Sequence, residues 1–374
     1  MSDSVCAETL HMAVLVTNDF PPHHGGIQRC MSRIAEELAR RDECVIVVAP
    51  AAAASAAYDT SQCFRILRYP AFERITSLIA MTLWLLSARL TAKNSYTVAS
   101  MWFPGGLAAC LLPRPIRGRL GILAHGTEIA PGRGGLRRYL MRYVFRQADV
   151  IFANSRFTQE LLRRAGVGDT ARIVHLGIDD AAVTPARAAQ PTILSVGRLI
   201  RRKGFDKVIE ALPAVSRRFP GVRYEIIGAG PQRAELEALA ERLGVTGHIA
   251  FLGAVDDAAM YRAYERAWCF ALPVRAVGDD IEGFGLVYLE AALAELPAVG
   301  GRGSGAEDAI VDGETGLLVD GTSAQAVADA LITLLSDRER AAAMGARGRR
   351  RALEEFTWHK TAATISGLMS AVKS

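Results

Sequence analysis

Glu282 and Glu290 bracket Gly283-Phe284-Gly285-Leu286-Val287-Tyr288-Leu289, a glycine turn that runs into an apolar stretch. Gly283 and Gly285 have no Cβ, so the backbone there can bend sharply and approach a ligand. Leu286 to Ala294 holds good helix formers, with no Gly or Pro until Pro297; this predicts a helix opening at Leu286. The N–H groups near Phe284, Gly285, Leu286 and Val287 would then be open donors at a helix N-terminus, where anions bind. Glu290, about one turn in, would offer an acceptor to a vicinal diol such as a ribose. The same pattern would also serve an ordinary loop into a capped helix.

Upstream, Gly197-Arg198-Leu199 follows the strand-like Thr192-Ile193-Leu194-Ser195-Val196, and Lys203-Gly204 precedes a helical pattern opening at Phe205. An Arg and a Lys on one strand-to-helix loop can clamp a diphosphate. Arg201 and Arg202 read as solvated surface. A basic loop alone could be surface throughout; its pairing with the carboxylate segment argues for a site.

These segments belong to a longer ordered set. Phe20-Pro21-Pro22 precedes Gly25-Gly26-Ile27-Gln28, then come His125-Gly126-Thr127-Glu128, Gly197-Arg198-Leu199, Lys203-Gly204, Gly228-Ala229-Gly230-Pro231 and Glu282 to Glu290. In that order, over nearly the whole chain, the set resembles the retaining glycosyltransferases of family 4, which have the two-domain GT-B fold. The seven residues between the two glutamates match the family's spacing. Asp19-Phe20-Pro21-Pro22 with Gly25-Gly26-Ile27-Gln28, and Val287-Tyr288-Leu289-Glu290-Ala291, look most like the GDP-mannose-dependent phosphatidylinositol mannosyltransferases. Polysaccharide and antibiotic glycosyltransferases share such segments.

The resemblance implies roles. Arg198 and Lys203 would meet the donor diphosphate and stabilise the charge that develops as it leaves. Glu282 would hold a hydroxyl of the donor sugar, Glu290 the ribose, and His125 would orient the sugar from the N-terminal domain. The Gly25-Gly26 loop would approach the donor's phosphate and sugar. It lacks the G-x-G-x-x-G spacing of a dinucleotide turn. Gly228 and Gly230 would lie near base and diphosphate, and Phe251-Leu252-Gly253 with Val255 would line the base pocket. His175 stands in His175-Leu176-Gly177-Ile178-Asp179, where relatives often carry Pro-Asn before the glycine, so its role is open.

The elements needed to position these residues are legible in outline. A chain of 374 residues suits two domains. Ala13–Thr17, Cys44–Val48, Phe64–Arg68, Thr97–Met101, Leu120–Ala124, Val150–Ala153 and Arg172–Val174 read as strands, with helices between most of them. Ala51 to Ala57 reads as a loop. Asp179 to Pro191, with two prolines and no periodicity, reads as a linker. A second series follows at Thr192–Val196, Tyr224–Ile227, Ile249–Leu252, Cys269–Leu272, Ala298–Gly300 and Gly316–Val319. Alternation of this kind gives α/β doubly wound parallel sheets. The GT-B resemblance implies an acceptor domain at 1–183 and a donor domain at 184–355, both Rossmann-like and facing across a cleft. A helical stretch runs from Asp337 to Met369, punctuated by Gly345 and Gly348; the same resemblance implies that its end, about 356–374, packs back on the first domain.

Composition narrows the function classes. The formal net charge is +5 and the pI about 9.0, which favours acidic partners such as nucleotide phosphates or anionic lipid. No aromatic-interleaved basic motif of a nucleic-acid-binding module occurs. Cys6, Cys30, Cys44, Cys63, Cys110 and Cys269 are scattered without C-x-x-C spacing, as small core residues are, so no disulfide framework or zinc site is implied. Met1 to Leu10 lacks the basic start and apolar run of a signal peptide. The expected location is the cytoplasm.

Ile75 to Leu90 is the most apolar stretch, shorter than the roughly 20 residues of a membrane span, and predicts a buried helix. Arg133, Arg137, Arg138, Arg142 and Arg146 recur near helical spacing among Leu136, Leu140, Tyr143 and Val144. Such a helix can lie on anionic lipid, or be the solvated face of a domain helix. A peripheral place on the inner face of the plasma membrane follows from the first reading.

His23 and His24 form a mere pair, and Asp-x-Asp occurs nowhere. With Arg198 and Lys203 available for the diphosphate, no metal and no cofactor is expected. The partners are a nucleotide sugar and an acceptor sugar, lipid or small molecule. Three further readings stay open: a UDP-sugar-dependent enzyme for a polysaccharide or natural product, a nucleotide-sugar epimerase, and a noncatalytic membrane-surface or carbohydrate-binding protein.

Overall fold

The computed structural model describes residues 12–22, 25–41, 43–70, 74–92, 95–129, 134–179 and 183–372. Met1 to Leu10 with Cys6, His23, His24 and Arg133 lie outside them. The chain divides into two compact units, Met1–Gly177 with Trp358–Ser374, and Ile178–Thr357.

The first unit holds β1 (Met12–Val16), β2 (Cys44–Pro50), β3 (Arg65–Tyr69), β4 (Tyr96–Ala99), β5 (Arg119–Ala124), β6 (Val150–Ala153) and β7 (Ala171–Ile173). They form one sheet in the order β3-β2-β1-β4-β5-β6-β7, and its pairings are parallel. β1, β4 and β6 are almost wholly apolar because helices cover both faces of such a sheet. The second unit holds β8 (Thr192–Val196), β9 (Arg223–Ile227), β10 (Ile249–Gly253), β11 (Cys269–Leu272), β12 (Ala298–Gly301) and β13 (Gly316–Val319). Their order is β10-β9-β8-β11-β12-β13. These are the two doubly wound Rossmann-like sheets that the alternation predicts.

Each strand order reverses once, between β1 and β4 and between β8 and β11. Ligands bind outside the carboxyl ends of strands at such a switch point. The fold therefore singles out the loops after β1 and β4 in one unit, and those after β8 and β11 in the other.

Four details differ from the sequence reading. The division falls at Gly177–Ile178 rather than 183–184. Ile178 N–H donates to the Phe356 carbonyl at 2.9 Å and bridges Thr357, so the second unit closes on its own ends. Arg187 also packs into that unit: it donates to the carbonyls of Ala294 and Glu295 at 2.7 and 2.9 Å. The second difference is a short helix at Ser55–Thr60, where a loop was expected. Third, Arg74–Thr91 is helical but not buried all round: Met81, Leu85 and Ala88 enter the core while Ile79, Leu83 and Leu90 are exposed. Fourth, Gly345 and Gly348 do not interrupt their helix, Arg338–Glu355. A Cβ at Gly345 would lie 1.9 Å from the Glu295 carbonyl oxygen, so this glycine permits close helix packing.

The last helix, Trp358–Ala371, belongs to the first unit. It packs on Gly26–Arg40, accepts Arg119 at the Met369 carbonyl at 2.7 Å, and Thr361 donates to the His175 carbonyl at 2.8 Å. His175 thus serves this packing through its backbone. Cys30 and Cys269 are buried and Cys63 is exposed, all unpaired. No helix among the described residues is long and apolar enough to cross a membrane.

Candidate active site

The second unit builds its loops against one another. Gly197 N–H donates to the Ile227 carbonyl at 2.9 Å, Leu199 N–H to Ala229 at 2.9 Å, and Gly228 N–H to Gly253 at 2.8 Å. The loops after β8, β9 and β10 are thus stitched side by side. Gly228 has φ 135°, and a Cβ there would lie 1.9 Å from the Gly197 carbonyl oxygen. Only glycine lets these loops meet so closely. Val255, half-buried, follows on the third loop.

Across the switch point, the loop after β11 folds onto the loop after β8. Arg275 N–H donates to the Arg202 carbonyl at 2.8 Å, and Arg275 Nη2 lies 2.7 Å from Asp206 Oδ2. This brings Glu282 to the basic loop. Lys203 Nζ is 2.7 Å from Glu282 Oε2, with side chains only 10% and 11% exposed. Arg202 Nε is 3.3 Å from the same oxygen, and Arg202 Nη1 is 2.7 Å from Asp280 Oδ1. Burial disfavours the Glu282 carboxylate, but Lys203 and Arg202 outweigh it and hold its pKa below the usual glutamate value. Burial, with the Glu282 charge beside it, pushes the Tyr288 phenol well up; Tyr288 donates to the Leu272 carbonyl at 2.5 Å.

The assignment of Arg202 to the surface is therefore wrong. It is largely covered and is a second cation on Glu282. Arg201 is the solvated one, bonded to Glu235 at 3.1 Å. Arg198 is exposed and forms no ion pair with a carboxylate among the described residues, so its guanidinium is available to a ligand.

Gly285, at φ 92°, caps the helix Leu286–Leu293, which opens where the sequence predicts. Phe284 is buried against Phe356, which removes its ring from any ligand; Leu286 and Val287 are half-buried. Glu290 is buried, and Tyr264 donates to its Oε2 at 3.1 Å. Glu282's own carbonyl accepts Gly305 N–H at 2.9 Å. Arg202, Tyr264 and the Gly305 contact escape sequence reasoning. Arg202 had one signal, its place beside Lys203.

In the first unit, the loop after β1 carries Gly25 and Gly26, both exposed at the start of the helix Gly26–Arg40. The Gln28 amide bonds the Asp19 carboxylate across this loop, and Arg68 Nη2 donates to the Pro21 carbonyl at 2.6 Å. His125 ends β5. Its Nε2 meets the Ser100 carbonyl at 2.8 Å, a contact that requires the proton on Nε2 and leaves Nδ1 as the acceptor in the neutral ring. Glu128 accepts His125 N–H at 2.6 Å, which accounts for the glutamate of His125-Gly126-Thr127-Glu128.

The expected lipid-facing helix is Gly135–Arg146. Two of its arginines are engaged inward: Arg142 donates to the Ala165 carbonyl at 2.6 Å and Arg137 stacks on Trp102 at 5.0 Å. Leu136, Tyr139 and Tyr143 are exposed instead. Its outer face is thus mixed aromatic and basic rather than a row of arginines. Among the described residues, no three His, Cys, Asp or Glu side chains are grouped so as to hold a metal.

A family model described as Glycosyltransferase Family 4 matches residues 24–182, and one described as Glycosyl transferases group 1 matches 179–351. The chain is 35% identical over 381 residues to the GDP-mannose-dependent alpha-(1-6)-phosphatidylinositol monomannoside mannosyltransferase of Mycolicibacterium smegmatis, covering 96% of this chain and 98% of that one. It is 33% identical to the protein of the same name from Mycobacterium tuberculosis, covering 95% and 97%. Among solved structures, Anabaena HepE with UDP-glucose superposes with a TM-score of 0.80 at 20% identity, covering 97% of this chain and 100% of that one. Sucrose-phosphate synthase from Thermosynechococcus elongatus does so with a TM-score of 0.76 at 22% identity, covering 96% and 98%.

Proposed function

Because the chain belongs to the glycosyltransferases of family 4, we propose that it transfers mannose from GDP-mannose to a phosphatidylinositol mannoside, keeping the configuration at the transferred carbon. The observation that supports the catalytic reading is the junction of Lys203 with Glu282, on a loop that also carries the exposed Arg198. The two cations belong to the loop after β8 and the carboxylate to the loop after β11. Donor and acceptor are assigned from the relatives that match over almost their full length. The UDP-bearing neighbours share the fold at 20% identity, which carries no donor preference.

The net change exchanges the bond from the sugar's anomeric carbon to phosphate oxygen for a bond to an acceptor oxygen. The acceptor's hydroxyl proton ends on the nucleoside diphosphate. The barrier lies in the charge that gathers on the departing diphosphate. Arg198, Lys203 and the N–H groups at the start of Leu286–Leu293 would stabilise it, each fixed before the reaction begins. Glu290 would take the ribose hydroxyls, with Tyr264 holding its other side, and Glu282 a sugar hydroxyl. Gly228, Gly230 and Val255 would border the nucleotide. His125, Gly25 and Gly26 we assign to sugar and phosphate, on the family pattern. The cations present fit a reaction that needs no metal.

A lipid acceptor suits a protein that sits on the inner face of a membrane without spanning it, and the exposed Arg138, Tyr139, Tyr143 and Arg146 suit an anionic surface. Two measurements test the proposal. GDP should raise the melting temperature more than UDP or ADP, and a preference for UDP would reassign the donor. Sedimentation with anionic vesicles should occur at low salt and fall at high salt; indifference to such vesicles would remove the membrane reading.

A further inference from the structure

An open cavity of about 910 Å³ lies wholly in the first unit, within the roughly 300–1,000 Å³ of small-molecule sites. Tyr69, Met81, Trp102, Phe103, Leu136 and Leu140 make most of its wall, and Arg137 is the one charged residue lining it among the described residues. Such a wall offers little to an occupant with many polar groups, whose donors and acceptors would lose water without replacement. A methylene chain loses nothing there and gains burial.

The cavity continues onto the surface along one helix face. Leu136, on the wall, is 74% exposed, and Tyr139 and Tyr143 follow it at three- and four-residue spacing, 68% and 43% exposed; residues so spaced are neighbours on a helix. A contiguous apolar stripe beside a cavity marks a binding surface. The same helix, Gly135–Arg146, carries four arginines, Arg137, Arg138, Arg142 and Arg146, and no acidic residue. The occupant is therefore apolar over most of its length and anionic near one end.

We propose that this cavity takes one acyl chain of the phospholipid acceptor, with the arginine-bearing helix beside its phosphate. The inference rests on the lipid-acceptor reading above and deepens it. The chain would thereby anchor the acceptor while its sugar is presented for transfer, so the acyl chain contributes to substrate recognition and not only to membrane partition.

The test uses the full-length protein and a lysophosphatidylinositol with a vicinally dibrominated stearoyl chain, kept below its micellar concentration. Bromine quenches tryptophan on contact, and Trp102 lines the cavity. The wild type should show saturable quenching that disappears in Trp102→Phe. Leu136→Glu, at an exposed position that leaves the core intact, should weaken it at least tenfold, and Leu136→Phe should retain it. Absent quenching, or quenching undiminished in Trp102→Phe or Leu136→Glu, overturns the proposal. A second arm compares mannose transfer to acylated and deacylated inositol acceptors. In Leu136→Glu the preference for the acylated acceptor, read as the KM ratio, should fall at least tenfold; an unchanged ratio overturns the acyl site and leaves the transfer reading standing. Transfer to neither acceptor, with quenching as expected, overturns the acceptor reading and leaves the acyl site standing.

Discussion

Lys203 Nζ and Glu282 Oε2 are 2.7 Å apart at the floor of the second unit's loops, both almost buried. The cation proposed for the diphosphate is thus already held by the carboxylate proposed for the sugar. A bound diphosphate has to draw Lys203 partly away from Glu282, and Arg202, 3.3 Å from the same oxygen, remains to keep that carboxylate charged. Breaking a buried pair by removing one partner leaves an uncompensated charge, so the arrangement of two cations on one carboxylate lets one of them move.

Arg198→Ala and Lys203→Ala should each lower nucleotide affinity and turnover by a decade or more, about 1.4 kcal/mol per decade. Lys203→Ala should also lower the melting temperature, because Glu282 loses its nearer partner; Arg198→Ala should not, since Arg198 is exposed. Calorimetry with GDP and a thermal melt separate these effects. Unchanged nucleotide affinity in both variants would remove the clamp.

Glu282 and Glu290 should differ in kind. Glu290 is proposed to meet the ribose, far from the reacting carbon, so Glu290→Ala should mainly weaken donor binding. Tyr264→Phe, which removes the 3.1 Å bond to Glu290, should weaken it in the same sense by less. Glu282→Ala should mainly lower kcat, since the sugar changes charge in the transition state. Steady-state kinetics decide, and the reverse pattern would refute the assignment.

The Glu282 pKa is lowered in the folded protein, relative to about 4.3 in an unfolded chain. A depressed carboxylate contributes stability that is present above the unfolded value and lost as pH falls through the folded one. The acid limb of the kcat/KM profile that reports Glu282 should therefore lie below the usual glutamate range. Arg202→Ala removes one of the two cations and should move that limb to higher pH, with Arg202→Lys moving it less. A pH profile of Arg202→Ala that superposes on the wild type would show that Arg202 does not act through Glu282.

Transfer should persist in excess chelator, because Arg198 and Lys203 are proposed to supply the positive charge that a metal would otherwise bring. Loss of transfer in chelator that magnesium or manganese restores would overturn this charge argument.

The sequence makes the strand series and the motif loops legible because buried parallel strands are continuous apolar runs and glycine turns punctuate them. β8, β11 and β13 fall where the apolar runs predict. What it hides is which polar residues are covered. Arg202 looks like Arg201 in the chain, and only the return of Asp280 and Glu282, brought by the strand order around β8 and β11, buries it. Tyr264 looks like any core aromatic until Glu290 is placed against its hydroxyl. The helix Arg74–Thr91 carries apolar residues on every side, so its sequence does not tell which face meets the core; Ile79 and Leu83 stay outside. The lining of the apolar cavity comes from six separated segments, at 18, 50, 69, 77–81, 102–104 and 134–140, and no local pattern announces it.

The most direct measurement follows label from GDP-mannose into lipid. Purified protein is incubated with GDP-[14C]mannose and a phosphatidylinositol mannoside in anionic vesicles, with UDP-glucose as the alternative donor. The account predicts a labelled mannolipid, stoichiometric GDP, and loss of both in Lys203→Ala. No mannolipid from GDP-mannose, with glycolipid or free UDP formed from UDP-glucose instead, would contradict it.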